Sequence, residues 1–349
     1  MSSEAVQIVA MGTSTAVGRD AWSSAAAVRA GISGFTQHPY MIDTAGKPMI
    51  VAVVPWLDIG LTGLARFEAL LYPAIDQARV PIMESQGVGL RIALSLGLPS
   101  PRPGLSETLQ YDLRNSISAK YRQIFDETAA FPNGHAAGLI ALEAAFKKLR
   151  EGTLDACIVA GVDSYIEADT LQWLEECDQL HGAGALNNAW GFIPGEAAGA
   201  LLLVRAEVVK RMSLKPLATI FGIGAAHEPK RIKTETICIG EGLTEAFRAA
   251  LLALPKGTQV SDLYCDMNGE PYRADEYAFA CIRTKEAFQS TSSFVAPADC
   301  WGDVAAAGSV LHIVLSSIAG LKGYASGELA FVFASAESGT RAAAVLATE

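Results

Sequence analysis

The sequence predicts an α/β protein whose strands, in mainly parallel sheets, are buried by helices. Short apolar runs of strand length alternate along the chain with longer segments of helical periodicity, which is the pattern of α/β folds. The mean hydropathy of +0.26 is high, and strands buried on both faces account for it. The 349 residues are 50% hydrophobic and 18% charged. This composition supplies a large core and differs from that of a disordered chain.

The first half of the chain supplies four predicted strands and three predicted helices. Gly31 and Gly152 each follow a helical pattern, and glycine is a common C-terminal stop of helices. The predicted strands cover 7–12, 91–96, 156–160 and 197–204, and the predicted helices cover 19–30, 107–125 and 137–150.

The second half repeats this plan. Its predicted strands cover 218–224, 263–267, 329–335 and 342–346, and its predicted helices cover 242–254, 277–288 and 304–321. The segments GHAAG (134–138) and GDVAAAG (302–308) each open a helix that leads into a strand. Because their spacing of roughly 170 residues far exceeds the ~20–50 residues of a solenoid repeat, it indicates a duplicated domain. We expect an N-terminal half over 1–210, with a cap insertion near 40–65, and a C-terminal half over 211–349.

Charge and cysteine usage exclude several classes of protein. The 37 acidic residues outnumber the 27 basic ones, for a net charge of −10, which argues against a nucleic-acid-binding protein. No apolar run reaches the ~18–20 residues of a membrane span, and no signal peptide is visible at the N-terminus. The six cysteines show no metal-ligand spacing. We therefore expect a cytoplasmic protein with reduced thiols, no metal site and no cofactor.

Several segments resemble the thiolase-fold condensing enzymes, and above all the β-ketoacyl synthases (3-oxoacyl-[acyl-carrier-protein] synthases). The run GHAAGLIALEAAFKKLREGTLDACIVAGVDS (134–164) is similar to their nucleophile segment. GFIPGEAAGALLL (191–203) is similar to their PGEGA strand, and GISG (31–34) to the segment after their first helix. Residues 263–276 and 301–308 lie where the family has two catalytic loops. The resemblance implies two similar halves in an α-β-α-β-α arrangement, and a homodimer.

The resemblance also implies a catalytic set that this sequence lacks. The family uses a cysteine at a helix N-terminus, with two histidines or a histidine and an asparagine, to form an acyl-enzyme and condense it. His135 falls at the position of the cysteine. Asn268-Gly269-Glu270 and Asp303 stand where the two further residues belong. The usual Cys-His-His triad is therefore absent.

His135, Asn268 and Asp303 are the candidate catalytic residues, and each has a structural alternative. His135 acts as a base or binds an acyl oxygen, oriented by Asp303, or it fills the space left by a lost cysteine. The helix N-terminus favours a neutral imidazole unless Asp303 intervenes. Asp303 alternatively caps the helix that follows it. Asn268 lines the pocket or forms an Asn-Gly turn.

Three more residues are candidates for substrate binding. Glu270 is a carboxylate base or a solvated loop acid, with the loop acid favoured. Cys300 is a rival nucleophile or, as free cysteines usually are, a buried and inert thiol. His181 lies where the family's loop shapes the acyl channel. Basic clusters at 147–150 and 210–215 dock an acidic carrier protein or are simply solvated helix ends.

Two functions follow from the resemblance. The first is a β-ketoacyl synthase-like protein that binds acyl-CoA or an acyl-carrier protein in fatty acid or polyketide metabolism. If an enzyme, it is an acyltransferase of the 3-oxoacyl synthase type, or a decarboxylase, that uses His135 in place of the cysteine. The second is a thiolase-like pseudoenzyme that recognises a protein partner, for example as an accessory factor of a secreted bacterial effector.

Overall fold

The computed structural model describes residues 5–84, 89–185, 187–231 and 234–348. The strands are β1 (Val6–Thr15), β2 (Thr36–Ile42), β3 (Pro48–Val51), β4 (Ile92–Gly97), β5 (Glu127–Phe131), β6 (Ala156–Ser164), β7 (Glu196–Arg205), β8 (Ala218–His227), β9 (Asp262–Cys265), β10 (Phe294–Val295), β11 (Leu329–Ser335) and β12 (Thr340–Thr348). The helices are α1 (Ala21–Arg29), α2 (Gly63–Ala78), α3 (Val80–Glu84), α4 (Leu109–Lys120), α5 (Ala137–Arg150), α6 (Ala168–Glu176), α7 (Ala206–Arg211), α8 (Glu241–Leu251), α9 (Pro271–Thr284), α10 (Ala298–Trp301) and α11 (Ala305–Leu321).

Ten of these strands form one sheet in the order β10-β9-β11-β12-β8-β1-β7-β6-β4-β5. The strands before residue 206 and those after residue 217 make two sets of five. A short antiparallel pairing of β1 with β8, from Val6–Ile8 to Ala218–Ile220, joins the sets. The sheet is mixed, because β7 pairs antiparallel with both β1 and β6, and β12 pairs antiparallel with β8 and β11. The expectation of mainly parallel pairing was wrong, since a strand's apolar pattern does not record the direction of its neighbour.

The predicted α-β-α-β-α layering is confirmed. Helices α5 and α11 lie in the centre, where each contacts strands of both sets. Helix α2 covers the first set of strands from outside, and α8 covers the second. Residues 305–319 of α11 are buried on every side, as expected for a helix that is apolar all round. This helix and the buried strands account for the high mean hydropathy.

Some elements differ from the expectation. The helix α2, the edge strand β5 and the β2–β3 hairpin were not predicted, and α9 was predicted to begin at residue 277. The helix begins six residues earlier, at Pro271, because proline fits the first position of a helix. No helix in the described ranges is both long and apolar enough to cross a membrane.

Candidate functional site

The two central helices begin at the same place in the molecule, and the candidate site lies between their N-termini. His135 lies in a 3-10 turn, Gly134–Ala136, that runs directly into α5. Asp303 lies two residues before α11. Backbone hydrogen bonds from Asp303 N to Ile193 O (2.7 Å) and from Gly195 N to Asp303 O (2.9 Å) hold this second helix start against the loop before β7. A Cβ on Gly195 would lie 2.3 Å from the Trp301 carbonyl oxygen, so only glycine allows this approach.

His135 and Asp303 form a buried pair that joins the two halves. The His135 Nε2 atom lies 3.0 and 2.9 Å from the two carboxylate oxygens of Asp303. Asp303 Oδ1 also accepts the backbone N–H of Ala305, at 2.8 Å. The two roles that the sequence left open, partner of His135 and helix cap, therefore occur together. Burial opposes ionisation of Asp303, but the nearby His135 and Arg273 hold its pKa below the usual range.

Asn268 and Glu270 extend this pair into a network. Asn268 Nδ2 donates to Asp303 Oδ2 at 2.6 Å and to Glu270 Oε2 at 3.1 Å. The Glu270 backbone N–H donates back to Asn268 Oδ1 at 3.1 Å, which gives the Asn-Gly turn its shape. Glu270 is 5% exposed, and the Tyr272 hydroxyl donates to it at 2.5 Å. The favoured reading of Glu270 as a solvated loop acid was wrong, because the N-terminus of α9 turns its carboxylate inward.

Arg273 lies at the centre of this network and was not among the predicted site residues. Its buried guanidinium donates to Asp266 Oδ2 (2.9 Å), Glu270 Oε2 (3.3 Å) and the Ser335 carbonyl oxygen (3.0 Å). Its Nη2 atom also lies 3.1 Å from His135 Nε2. His135 Nε2 lies within hydrogen-bond distance of both Asp303 oxygens, so we assign a proton to this nitrogen, which then donates to Asp303. A protonated Nε2 cannot also accept a hydrogen bond from Arg273. The spacing of Glu270 and Arg273 around Pro271 was the available signal, because it places an i,i+3 ion pair on a helix start.

Little space remains beside His135. The cavity there has a volume of about 20 Å³ and is lined by His135, Cys265, Asp266, Asn268, Asp303 and His312 among others. Ligand pockets usually have ~300–1,000 Å³, whereas one water needs only ~10–15 Å³. A larger cavity of about 760 Å³ lies between the β2–β3 hairpin and α6, and His135 does not line it. The network therefore fills the region where a substrate would have to reach the imidazole.

The remaining candidates lie apart from this network. His181 is exposed in the loop after α6, and its backbone N–H donates to Phe192 O. Cys300 is buried on α10, where burial raises the pKa of its thiol and so disfavours the thiolate that a nucleophile needs. Lys147 and Lys148 pair with Glu151 and Glu127 at the exposed end of α5. Among the described residues, no metal-binding set of three His, Cys, Asp or Glu side chains includes His135.

Comparisons with known proteins point to one fold. The family model described as "Beta-ketoacyl synthase, N-terminal domain" matches residues 134–208. A search of curated proteins found no match. A solved structure of AntDE:AntF, a type II PKS acyl-carrier protein in complex with its ketosynthase bound to the hexaketide, has a TM-score of 0.82 at 15% identity, with 99% of each chain covered.

Two further solved structures share this architecture. The ishigamide ketosynthase/chain length factor has a TM-score of 0.80 at 17% identity, with 99% of each chain covered. The ketosynthase from module 6 of the bacillaene synthase of Bacillus subtilis 168 has a TM-score of 0.73 at 16% identity, with 99% of this chain and 72% of that chain covered. At these identities, the likeness establishes a shared fold.

Proposed function

Because the chain is a ketosynthase-like protein of the thiolase fold, we propose that it is a non-catalytic subunit that assembles with a cysteine-bearing ketosynthase. That partner forms the acyl-enzyme and condenses thioesters held on an acyl-carrier protein. The proposal is supported by the ketosynthase/chain length factor among the similar structures. A complex of a ketosynthase with an acyl-carrier protein is also among them.

The observation that supports this proposal is that side chains fill the space beside His135 at the N-terminus of α5. His135 uses its Nε2 atom for Asp303, and Arg273 lies against the same atom. An imidazole cannot replace a thiolate as a stable acyl carrier. Cys265 lines the small cavity, but burial raises the pKa of its thiol and keeps it protonated. The site therefore lacks both a nucleophile and room for an acyl chain.

The edge strand β5 offers the partner a place to pair. It is the last strand of the ten-stranded sheet and is only partly buried. An open strand edge is a template for strand pairing with another chain. β5 also leads directly into the turn that holds His135, so a partner subunit paired here lies beside the filled site. These features favour a ketosynthase subunit over a carrier protein as the occupant of this edge.

A second function has one observation in its favour. The buried His135–Asp303 pair is the kind of His–carboxylate pair that orients a general base. In this alternative, His135 acts on an acyl-CoA or carrier thioester by acyl transfer or decarboxylation. It requires the ring to turn its other nitrogen toward a substrate, for which a cavity of about 20 Å³ has no space.

We expect the purified chain to produce no ketoacyl, free-acid or decarboxylated product from malonyl- and acyl-thioesters of CoA or carrier protein. Intact-mass spectrometry after the same incubation should show no covalent acyl adduct, because no described cysteine near the site is a competent nucleophile. The matched variants are His135→Ala and, as a control, His181→Ala in an exposed loop. Turnover that is lost in His135→Ala and kept in His181→Ala contradicts the proposal and establishes the alternative.

We expect the chain to form a heterodimer with a cysteine-bearing ketosynthase of the same organism, and Ala130→Pro to weaken this dimer at least about tenfold. The Phe131 carbonyl accepts the Leu98 N–H at 3.0 Å and so faces β4, which leaves the Ala130 N–H on the open side of β5. Native mass spectrometry measures the heterodimer, and Ala130→Ser is the matched control. Absence of a heterodimer, or a folded Ala130→Pro variant that assembles like the wild type, contradicts the proposal.

A further inference from the structure

Three potential metal ligands meet in the second half of the chain, where Glu276 lies about one turn along α9 from Arg273. Glu228 directly follows β8, Cys238 lies shortly before α8, and Glu276 is on α9. One ligand atom from each of these side chains lies within 4.8 Å of the other two. The sequence predicted no metal site, because ligands 10 and 38 residues apart form no recognisable spacing motif.

The contacts of the three side chains leave lone pairs available for a cation. Each Glu228 oxygen accepts one backbone N–H, from Lys230 at 3.1 Å and from Gly242 at 2.7 Å. Glu276 Oε1 accepts Arg341 Nε at 2.6 Å and lies 3.7 Å from the Cys238 sulfur. A carboxylate oxygen has two lone-pair sites, so each Glu228 oxygen keeps one, and Glu276 Oε1 regains one when the Cys238 thiol loses its proton.

A second observation indicates that something is missing from this cluster. Glu276 is 1% exposed and Arg341 is fully buried. Even so, within the described residues neither Glu276 Oε2 nor Arg341 Nη2 has a hydrogen-bond partner. Leaving a buried polar atom unsatisfied costs about 1–3 kcal/mol, and more for a charged group. The unpartnered oxygen, Oε2, belongs to the carboxylate whose Oε1 contacts Cys238, so a cation held by the cluster would satisfy this oxygen, whereas the Arg341 Nη2 donor needs an acceptor such as a water.

We propose that Glu228, Cys238 and Glu276 bind one thiophilic divalent cation of the Zn²⁺ class. Thiolate and carboxylate ligands together suit zinc, and three protein ligands leave the fourth tetrahedral position for water. The charges also balance. Two carboxylates, one thiolate, the Arg341 guanidinium and a divalent cation sum to zero in a buried environment.

Binding displaces one proton from the cysteine. Burial raises the pKa of the Cys238 thiol to about 11, so the metal-free side chain is protonated at neutral pH. The sulfur–hydrogen bond breaks as the sulfur–metal bond forms, and the proton leaves to solvent. Cys238 is partly exposed, which gives the cation a route of entry. The bound cation would link Glu228, directly after β8, and Cys238, shortly before α8, to Glu276 on α9.

The test uses Co²⁺ as a spectroscopic probe of the full-length, metal-free chain. We expect one Co²⁺ per chain, with a thiolate-to-cobalt charge-transfer band that Zn²⁺ abolishes by displacement. Cys238→Ser should remove the band and weaken Zn²⁺ binding, measured by competition with a chromophoric chelator, at least about 100-fold. Cys177→Ser is the matched control, because Cys177 is exposed and outside the cluster, and it should change neither result.

A further variant separates ligation from folding. Cys238→Ala removes the sulfur ligand but only one long contact, 3.7 Å to Glu276 Oε1, so it should weaken Zn²⁺ binding while thermal unfolding of the metal-free protein changes little. Three outcomes overturn the proposal: no charge-transfer band in the wild type, a band that disappears with Cys177→Ser, or Zn²⁺ affinity unchanged in folded Cys238→Ser. None of them depends on whether the chain pairs with a ketosynthase.

Discussion

We expect the Arg273→Met variant to lose about 4 kcal/mol of the free energy of unfolding at neutral pH. The Arg273 side chain is 2% exposed and is the cation that faces Asp266 and Glu270. Removing one partner of a buried ion pair costs about 3–5 kcal/mol, because the remaining charges stay buried without compensation. Methionine fills similar space but donates no hydrogen bond, so the Ser335 carbonyl oxygen also loses its donor. Urea denaturation, analysed as a two-state transition, measures the loss.

Arg91→Met is the matched control for this prediction. Arg91 forms an ion pair of similar length with Asp155, at 3.1 Å, but its side chain is 52% exposed. Ion pairs at the surface contribute little to stability because solvent screens them, so the free energy of unfolding of this variant should stay close to that of the wild type. If both variants lose the same small amount, the buried ion pairs of Arg273 contribute no more to stability than an exposed pair, and the prediction is wrong.

The fold was predictable from the sequence because its main elements follow simple periodicities. The helix predicted at 137–150 has the observed bounds of α5, and the strand predicted at 329–335 has those of β11. Glycines indicated where helices end, and the internal repeat indicated a duplicated domain. The apolar pattern could not supply the direction of strand pairing, because the antiparallel strands β7 and β12 are buried on both faces here, as strands of parallel sheets usually are. The 210/211 boundary and the homodimer stay predictions.

The site was only partly predictable, for a physical reason. His135 and Asp303 could be paired from the sequence, because the internal repeat places the N-termini of two central helices side by side. Arg273 was missed because the predicted start of α9 at residue 277 left it in a loop, although its spacing from Glu270 across Pro271 fits an ion pair at a helix start. One turn of helix is enough to change a side chain from solvated to buried. The same error made Glu270 a loop acid, although both residues are buried in the structure.

We expect the free energy of unfolding to fall by about 3 kcal/mol as the pH decreases from 6.5 to 4, through His312 alone. His312 is buried on α11, and its pKa is lowered from 6.5 to about 4. Burial is the largest cause, and the nearby His135 also lowers the pKa. The charges of Asp266 and Asp303 raise it, but by less. Between pH 6.5 and 4, His312 is therefore protonated in the unfolded chain but largely neutral in the folded chain. Stability is unaffected above pH 6.5 and decreases below it, by 1.36 kcal/mol for each unit of pKa difference.

The variant His312→Gln should remove the largest part of this slope, because glutamine does not titrate, and leave the part due to His38, whose pKa burial also lowers; His181→Gln in its exposed loop should keep the whole slope. Asp303 acts in a separate pH range. Its folded pKa is lowered, so its contribution is complete above the unfolded value of about 3.9 and is lost only as the pH falls below it. Urea denaturation at closely spaced pH values therefore separates the two ranges, and His312→Gln should reduce the loss of stability in the upper one. An unchanged slope between pH 6.5 and 4 in that variant shows that the buried imidazole accepts its proton without cost to folding.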